Sequence, residues 1–409
     1  MMNINHNYKE AVCSIFAAVV LWVLAAHAAA LPPDPDNAAL LYYQACLLRP
    51  EPDDATEAQV SRILRGSEPD DKIRQYVRLC SETIELAEAA AQIPKCDWGA
   101  EYSRGYALNL EAMSRVCSLA RLLEVSAAIL AADGDYRAAL GRCITIRRIA
   151  RHMGDNAVTS YAGSVQVDGG SLRAIRHVLG RMPPDADVLG WLENRLATVQ
   201  GSAESPARAL QMDLELALQT MRARPNIIAR VRDQLAEVAK DNSAKEAIRS
   251  LTDEEIVARA REPYVKFLSS TLQAMGADMS YEETYAELQR LADKLEEEAS
   301  SNPGMRLWMT TSAQGAKHIY SYQLKHRASV NMVKSAIEIY LVVAKTGRLP
   351  STLPDALPKD PYSGQDFEYE TTGDGFVLRC RVRDIDERKV QEYEFKVRKS
   401  DSAEGQPSK

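Results

Sequence analysis

Four things are scarce in this chain of 409 residues, and each scarcity excludes something. Aromatic residues make up only 6% while alanine and leucine are plentiful, which favours packed helices over a β-sandwich. Histidine occurs six times, and His6 and His27 fall in an N-terminal targeting segment. His152 and His177 stand in basic helical surroundings. His318 and His326 share one expected helix, where two turns separate them by about 12 Å, too far to bind one zinc ion. No H-E-x-x-H, C-x-x-C, G-x-S-x-G or P-loop run is present, so no catalytic, cofactor-binding or metal-ligating residue is assigned. Positive charge is not in excess: a net charge of −7 argues against nucleic acid as the main partner. Long apolar runs are missing too. The longest, Cys13 to Ala26, has about fourteen residues, whereas a spanning helix needs roughly twenty.

That short run shows where the protein goes. Lys9 precedes it, and Ala26-His27-Ala28 or Ala28-Ala29-Ala30 offers a small-residue cleavage site, so residues 1–30 read as a signal peptide. The expected location is the periplasm or cell envelope. The alternative is an inner-membrane anchor made by residues 13–26, which would be the chain's only membrane contact.

From residue 31 to about 300 the pattern is helical, with a sub-boundary expected near 183–205, where Pro183-Pro184 and Gly201-Ser202 interrupt it. Asp70-Asp71 open a helix carrying Ile73, Val77, Cys80, Ile84 and Ala87 on one face. A long helix aligns Met113, Cys117, Ala120, Leu123, Ala127 and Leu130. Asp133-Gly134-Asp135 then turns the chain, and Tyr136 to His152 returns. Thr252-Asp253-Glu254-Glu255 is a capping box. Tyr281, Tyr285, Leu288, Leu291 or Ala292, and Leu295 form a heptad-like seam too short for a coiled coil. Arg147, Arg148 and Arg151 with Arg173 and Arg176 make a local basic patch; clustered guanidinium groups suit carboxylate or phosphate, and the alternative is a solvated helix face.

Export would leave six cysteines, and helical geometry points to one pair. Cys80 lies about thirteen residues before the end of its helix, and Cys117 about twelve residues into the next. In an antiparallel hairpin at roughly 1.5 Å per residue they reach the same level. Cys80–Cys117 is therefore the candidate disulfide, against two buried free thiols.

The C-terminal stretch is the most structured in its pattern. Val333, Ile337, Tyr340 or Leu341, and Ala344 recur at helical spacing, and Gly347, Pro350 and Pro354 end the helix. Three alternating runs follow, around Phe367 and Tyr369, Phe376 to Val382, and Tyr393 to Val397. The fold class expected is mainly α: an irregular helical domain with a small C-terminal α+β unit, one helix on a three-stranded antiparallel meander, within residues 301–398. Residues 399–409 read as a disordered tail. Asp360, before Pro361, reads as a turn residue and not a catalytic carboxylate.

Gly347-Arg348-Leu349-Pro350, Asp360-Pro361-Tyr362-Ser363-Gly364 and Gly373 to Leu378 together resemble the C-terminal half of type II secretion pseudopilins, over about 70 of 409 residues. The family's calcium loop is replaced here by Arg383-Asp384-Ile385-Asp386-Glu387-Arg388, so calcium is not implied. The stretch from Ala128 to Asp155 is similar to one tetratricopeptide unit, without a 34-residue repeat on either side. It also resembles helical regions of uncharacterised exported bacterial proteins. These features lead to an exported, non-enzymatic binding or assembly protein acting through helical surfaces on a protein or envelope partner. The other class is a secreted enzyme whose carboxylates converge in the helical domain. A deep pocket holding converging Asp, Glu or His favours the enzyme, and an extended groove favours binding.

Overall fold

The computed structural model describes residues 34–398 apart from 108–110, 155, 200, 203–204, 302 and 355. The expected signal peptide, its cleavage site and the expected tail lie outside the described residues. Fourteen α-helices are present among the described residues: α1 Ala38–Leu48, α2 Asp54–Ile63, α3 Asp71–Leu79, α4 Ser81–Gln92, α5 Glu111–Ala132, α6 Tyr136–Met153, α7 Val158–Leu179, α8 Ala186–Thr198, α9 Ala207–Arg222, α10 Pro225–Glu237, α11 Asn242–Arg249, α12 Asp253–Gly276, α13 Tyr281–Ser301 and α14 Pro303–Thr346. Three strands follow: β1 Glu368–Thr371, β2 Gly375–Arg383 and β3 Val390–Lys396. The chain is thus mainly helical with a small C-terminal sheet.

Local chemistry sets the helix boundaries. Asp53, Asp70, Asp135, Asp185 and Asp241 each cap a helix by accepting a backbone N–H of its first turn. At α12 the capping box closes both ways: Thr252 Oγ1 accepts from Glu255 N, and Thr252 N donates to Glu255 Oε2 at 2.7 Å. The α5–α6 turn needs Gly134, whose φ is +85°. The helix opening at Asp71 is broken where continuity was expected. Cys80 leaves helical geometry (φ −91°, ψ 12°), dividing the run into α3 and α4.

The core carries the long helix α14 into the sheet. Val333, Ala336, Ile337 and Tyr340 lie in one apolar cluster with Phe376, Leu378, Cys380 and Phe395, and the same cluster takes in Leu140 and Cys143 of α6 and Ile175 and Leu179 of α7. The sheet order is β1-β2-β3, antiparallel throughout, with Tyr369 opposite Leu378 and Phe376 opposite Phe395. The Tyr340 ring meets Phe376 edge-on at 5.7 Å, and its hydroxyl donates to Lys396 O at 2.5 Å. A three-stranded sheet with one bare face is marginal alone, and α14 covers that face here. The α13 seam is found as expected, with Tyr281, Leu288, Ala292 and Leu295 buried.

Two turn carboxylates lock the C-terminal unit. Asp360 is fully buried and accepts from Tyr362 N, Ser363 Oγ and Arg381 N, the turn role its sequence position suggested. Asp384, in the loop between β2 and β3, accepts from Ser321 Oγ and Tyr362 OH at 2.8 and 2.9 Å.

Cys80 and Cys117 belong to one apolar cluster, but the hairpin expected to align them is not formed. Helix α4 lies chiefly along α1, and α5 along α6 and α7. The two thiols are unbonded in this structure, as are those of Cys46, Cys96, Cys143 and Cys380. Among the described residues no helix is long and apolar enough to cross a membrane.

Candidate functional site

Helix α7 has an unusual composition for a buried helix. Its run Ser164-Val-Gln-Val-Asp168-Gly-Gly-Ser171 sets polar and small residues at core spacing. The serines explain how α7 sits against α6: Ser164 Oγ donates to Ala150 O at 2.7 Å and Ser171 Oγ to Cys143 O at 2.9 Å. Asp168 lies between them with only 1% of its side chain exposed. A buried carboxylate is costly unless paired, and three groups from distant parts of the chain reach it.

Arg147 Nη1 of α6 is 2.9 Å from Asp168 Oδ1, and His326 Nε2 of α14 is 3.1 Å from Oδ2. The Ser202 amide, in the loop between α8 and α9, donates to Oδ2 at 3.3 Å. That loop approaches closely because residue 201 is glycine; a Cβ there would overlap the Asp168 carboxylate. Burial raises the carboxyl pKa, but Arg147, His326 and the Ser202 amide outweigh it and hold Asp168 below the ordinary value.

The arrangement contains serine, histidine and aspartate, yet it does not form a nucleophile relay. Ser202 Oγ lies 2.9 Å from His326 Nε2, the same nitrogen that faces Asp168. A relay uses the two ring nitrogens separately, one toward the carboxylate and one toward the nucleophile. With a carboxylate at 3.1 Å, the stable place for the proton is Nε2 itself. That nitrogen then cannot accept the Ser202 proton, so the group works as a clamp joining α7, the 199–202 loop and α14.

The clamp forms the floor of a cavity of about 680 Å³. Its polar wall is strongly cationic, with Arg147, Arg151, Arg208, Arg327 and Lys334 against the single carboxylate of Asp168. Tyr161, Leu196, Val199 and Val330 give it an apolar side. Arg147 is the distinctive member, with 6% of its side chain exposed. Its Nη1 is held by the Asp168 carboxylate, while Nε has no hydrogen-bond partner among the described residues. The buried guanidinium therefore keeps one unused donor, Nε, beside a cavity able to hold a small anion.

A second concavity lies on the opposite side of α7. It is a cleft of about 600 Å³ between the loop after α2, α5, α7 and β3, and Glu124 of α5 is at its base. The basic patch read from the sequence is divided between these places. Arg147 and Arg151 line the cavity, Arg173 and Arg176 line the cleft, and Arg148 hydrogen-bonds Gln92 of α4 elsewhere. Of the histidines, His326 enters the cavity and His177 the cleft. His152 meets Tyr42 OH through Nδ1 at 2.9 Å, and His318 meets Asp386 at 3.0 Å.

Asp168 and Glu124 carry no signal of their own in the sequence, and Gly201-Ser202 reads there only as a break in the helical pattern. The available signal was the polar and glycine-rich stripe of α7 inside an otherwise apolar helical pair. No protein-family model matches this chain, and neither a curated protein nor a solved structure matches it significantly.

Proposed function

We propose that this protein is an exported, non-enzymatic binding protein of the bacterial envelope, and that its cationic cavity takes a ligand bearing a carboxylate or phosphate group. One observation carries the reading: five permanent cations meet one carboxylate in this cavity, and the buried Arg147 among them keeps one unused N–H donor. A buried donor without a partner costs on the order of 1–3 kcal/mol, and an anion that satisfies it recovers that cost. The planar guanidinium fork matches carboxylate and phosphate oxygens, and clustered positive charge in a concave wall draws anions in. The short apolar N-terminal run supports export, and the helix-on-meander unit suits the resemblance to envelope pseudopilins.

The test is calorimetric titration with inorganic phosphate and with citrate at low ionic strength. Binding is expected to weaken steeply with added salt. Arg151→Ala with Arg327→Ala, both exposed and outside the core, should reduce it by at least about tenfold, the worth of one charged hydrogen bond. Equal binding in that variant, or no binding of either anion, overturns the proposal.

The 2.9 Å approach of Ser202 Oγ to His326 Nε2 favours a second reading, a secreted hydrolase. A fluorophosphonate probe decides it. Labelling at Ser202 requires a nucleophilic hydroxyl, which the shared nitrogen disfavours.

A further inference from the structure

Glu124 is as buried as Arg147, with 6% of its side chain exposed, and the cavity described above makes no use of it. Its carboxylate rests against Gly170 of α7, where any Cβ would overlap Oε1. Its partner among the described residues is Arg173, whose Nη2 stands 3.5 Å from Oε2, at the limit of a hydrogen bond, while the arginine itself is half exposed. A carboxyl group with room for several hydrogen bonds thus makes one long one among the described residues. The cleft extends from it in two lobes, and Leu64, Arg65, Glu124 and Arg173 line both.

Two further groups in the cleft have unused capacity. His177 Nε2 is buried and has no hydrogen-bond partner among the described residues. The Arg65 guanidinium is exposed and lines the cleft, with no side-chain partner among the described residues. His177 lies one face-repeat beyond Gly170 on α7, about 10 Å along the helix axis, and its side chain leans back toward the N-terminus. The unsatisfied groups therefore span the length of one or two hexose rings. Six Arg and Lys side chains line the two lobes against three carboxylates, which disfavours a simple amine and favours a net anion.

We propose that this cleft binds an acidic sugar, with Arg65 and Arg173 receiving the carboxylate and Glu124 and His177 hydrogen-bonding ring hydroxyls. The chemistry matches group by group. A uronic acid brings one planar carboxylate for guanidinium forks and several hydroxyls, each able to donate and accept. A site built around buried polar groups discriminates strongly against ligands that leave them unpaired. This inference stands apart from the anion-binding reading of the other cavity, because the two lie on different faces of α7 with no lining residue in common.

Calorimetry on the full chain with D-galacturonate and digalacturonate tests it, with D-galactose and acetate as comparisons. Both uronates are expected to bind, and galactose and acetate at least about tenfold more weakly, the loss for one charged hydrogen bond. Glu124→Gln and, separately, Arg65→Ala should each weaken uronate binding by about tenfold while leaving phosphate binding in the other cavity unchanged. Arg65 is on the surface, so its variant remains informative even where Glu124→Gln fails to fold. No uronate binding up to ~10 mM, a range that still detects roughly 3 kcal/mol, overturns the proposal. Equal binding of galactose, or unchanged binding in Arg65→Ala, overturns it as well.

Discussion

Asp168, on α7, and Glu124, packed against α7 from α5, are two buried carboxylates handled in opposite ways. Each is pressed against a glycine, Gly201 for Asp168 and Gly170 for Glu124, because no other residue leaves room for the oxygens. Asp168 is met by Arg147, His326 and the Ser202 amide, and its pKa is held low. Glu124 has Arg173 at 3.5 Å, and burial raises its pKa above the ordinary value against the opposing pull of Arg173 and Arg121. Depth alone therefore does not decide the state of a buried acid. The number and closeness of its partners do, and they separate a carboxylate that ties three chain segments together from one held in reserve at the base of a cleft.

The largest effect that can break this comparison comes from Arg147. Replacing it by alanine leaves the Asp168 charge in the interior with one cationic partner removed. Loss of one member of a buried pair costs about 3–5 kcal/mol, and both side chains here are almost wholly enclosed. Urea unfolding of Arg147→Ala measures it. A loss below about 1 kcal/mol, the size of a surface pair, would mean that Asp168 is not the fixed charge described.

Next in size is Gly170→Ala. The added methyl overlaps Glu124 Oε1 and forces α5 and α7 apart or the carboxyl out of place, with an expected loss of about 1–3 kcal/mol. Gly190→Ala in α8 supplies the control. Nothing lies within 4 Å of a Cβ there, and alanine in a helix should stabilise by roughly 0.5–1 kcal/mol. Pairing Gly170→Ala with Glu124→Ala should recover part of the loss, since the two residues are in contact and their effects do not add. Equal behaviour of the two glycine variants would remove the packing argument.

How much of this was legible beforehand follows from sequence distance. The capping box at Thr252, the Asp360 turn and the α14 helix over the meander were readable because each is made by residues close in the chain or by strict periodicity. Asp168 and Glu124 were not, because their environments come from far away: Ser202 and His326 are 124 residues apart, and His326 was set aside as too far from His318 to share a metal. The basic patch misled in its own way. Five arginines close in sequence fall on different faces once α6 and α7 pack, so their proximity along the chain did not make one surface. The cysteine argument rests on α4 and α5 folding back as a hairpin, whereas α4 lies chiefly along α1 and α5 along α6 and α7. Peptide mapping without reduction remains the direct measure of any Cys80–Cys117 bond.

The smallest effect sharpens the comparison most, because it reads the sign of the two shifts. Asp168 has a folded pKa below its ordinary 3.8, so its contribution to stability is present above that pH and is lost as pH falls through the folded value. Glu124 has a folded pKa above its ordinary 4.5, so its contribution is complete below that pH and is lost as pH rises through the folded value. Glu124→Gln removes the second titration and leaves the first. His152 titrates as well: burial, with Arg148 and Arg151, lowers its pKa to about 4, so stability also falls as pH drops from 6.5 toward 4. That contribution is common to wild type and variant and cancels in their difference. The stability of Glu124→Gln relative to wild type should therefore rise with pH above 4.5 and level off once Glu124 is ionised in the folded protein. Melting temperatures across pH 4–8 give the difference curve. A flat curve, or one that falls as pH rises, would place Glu124 with Asp168 as a compensated anion and end the contrast between the two sides of α7.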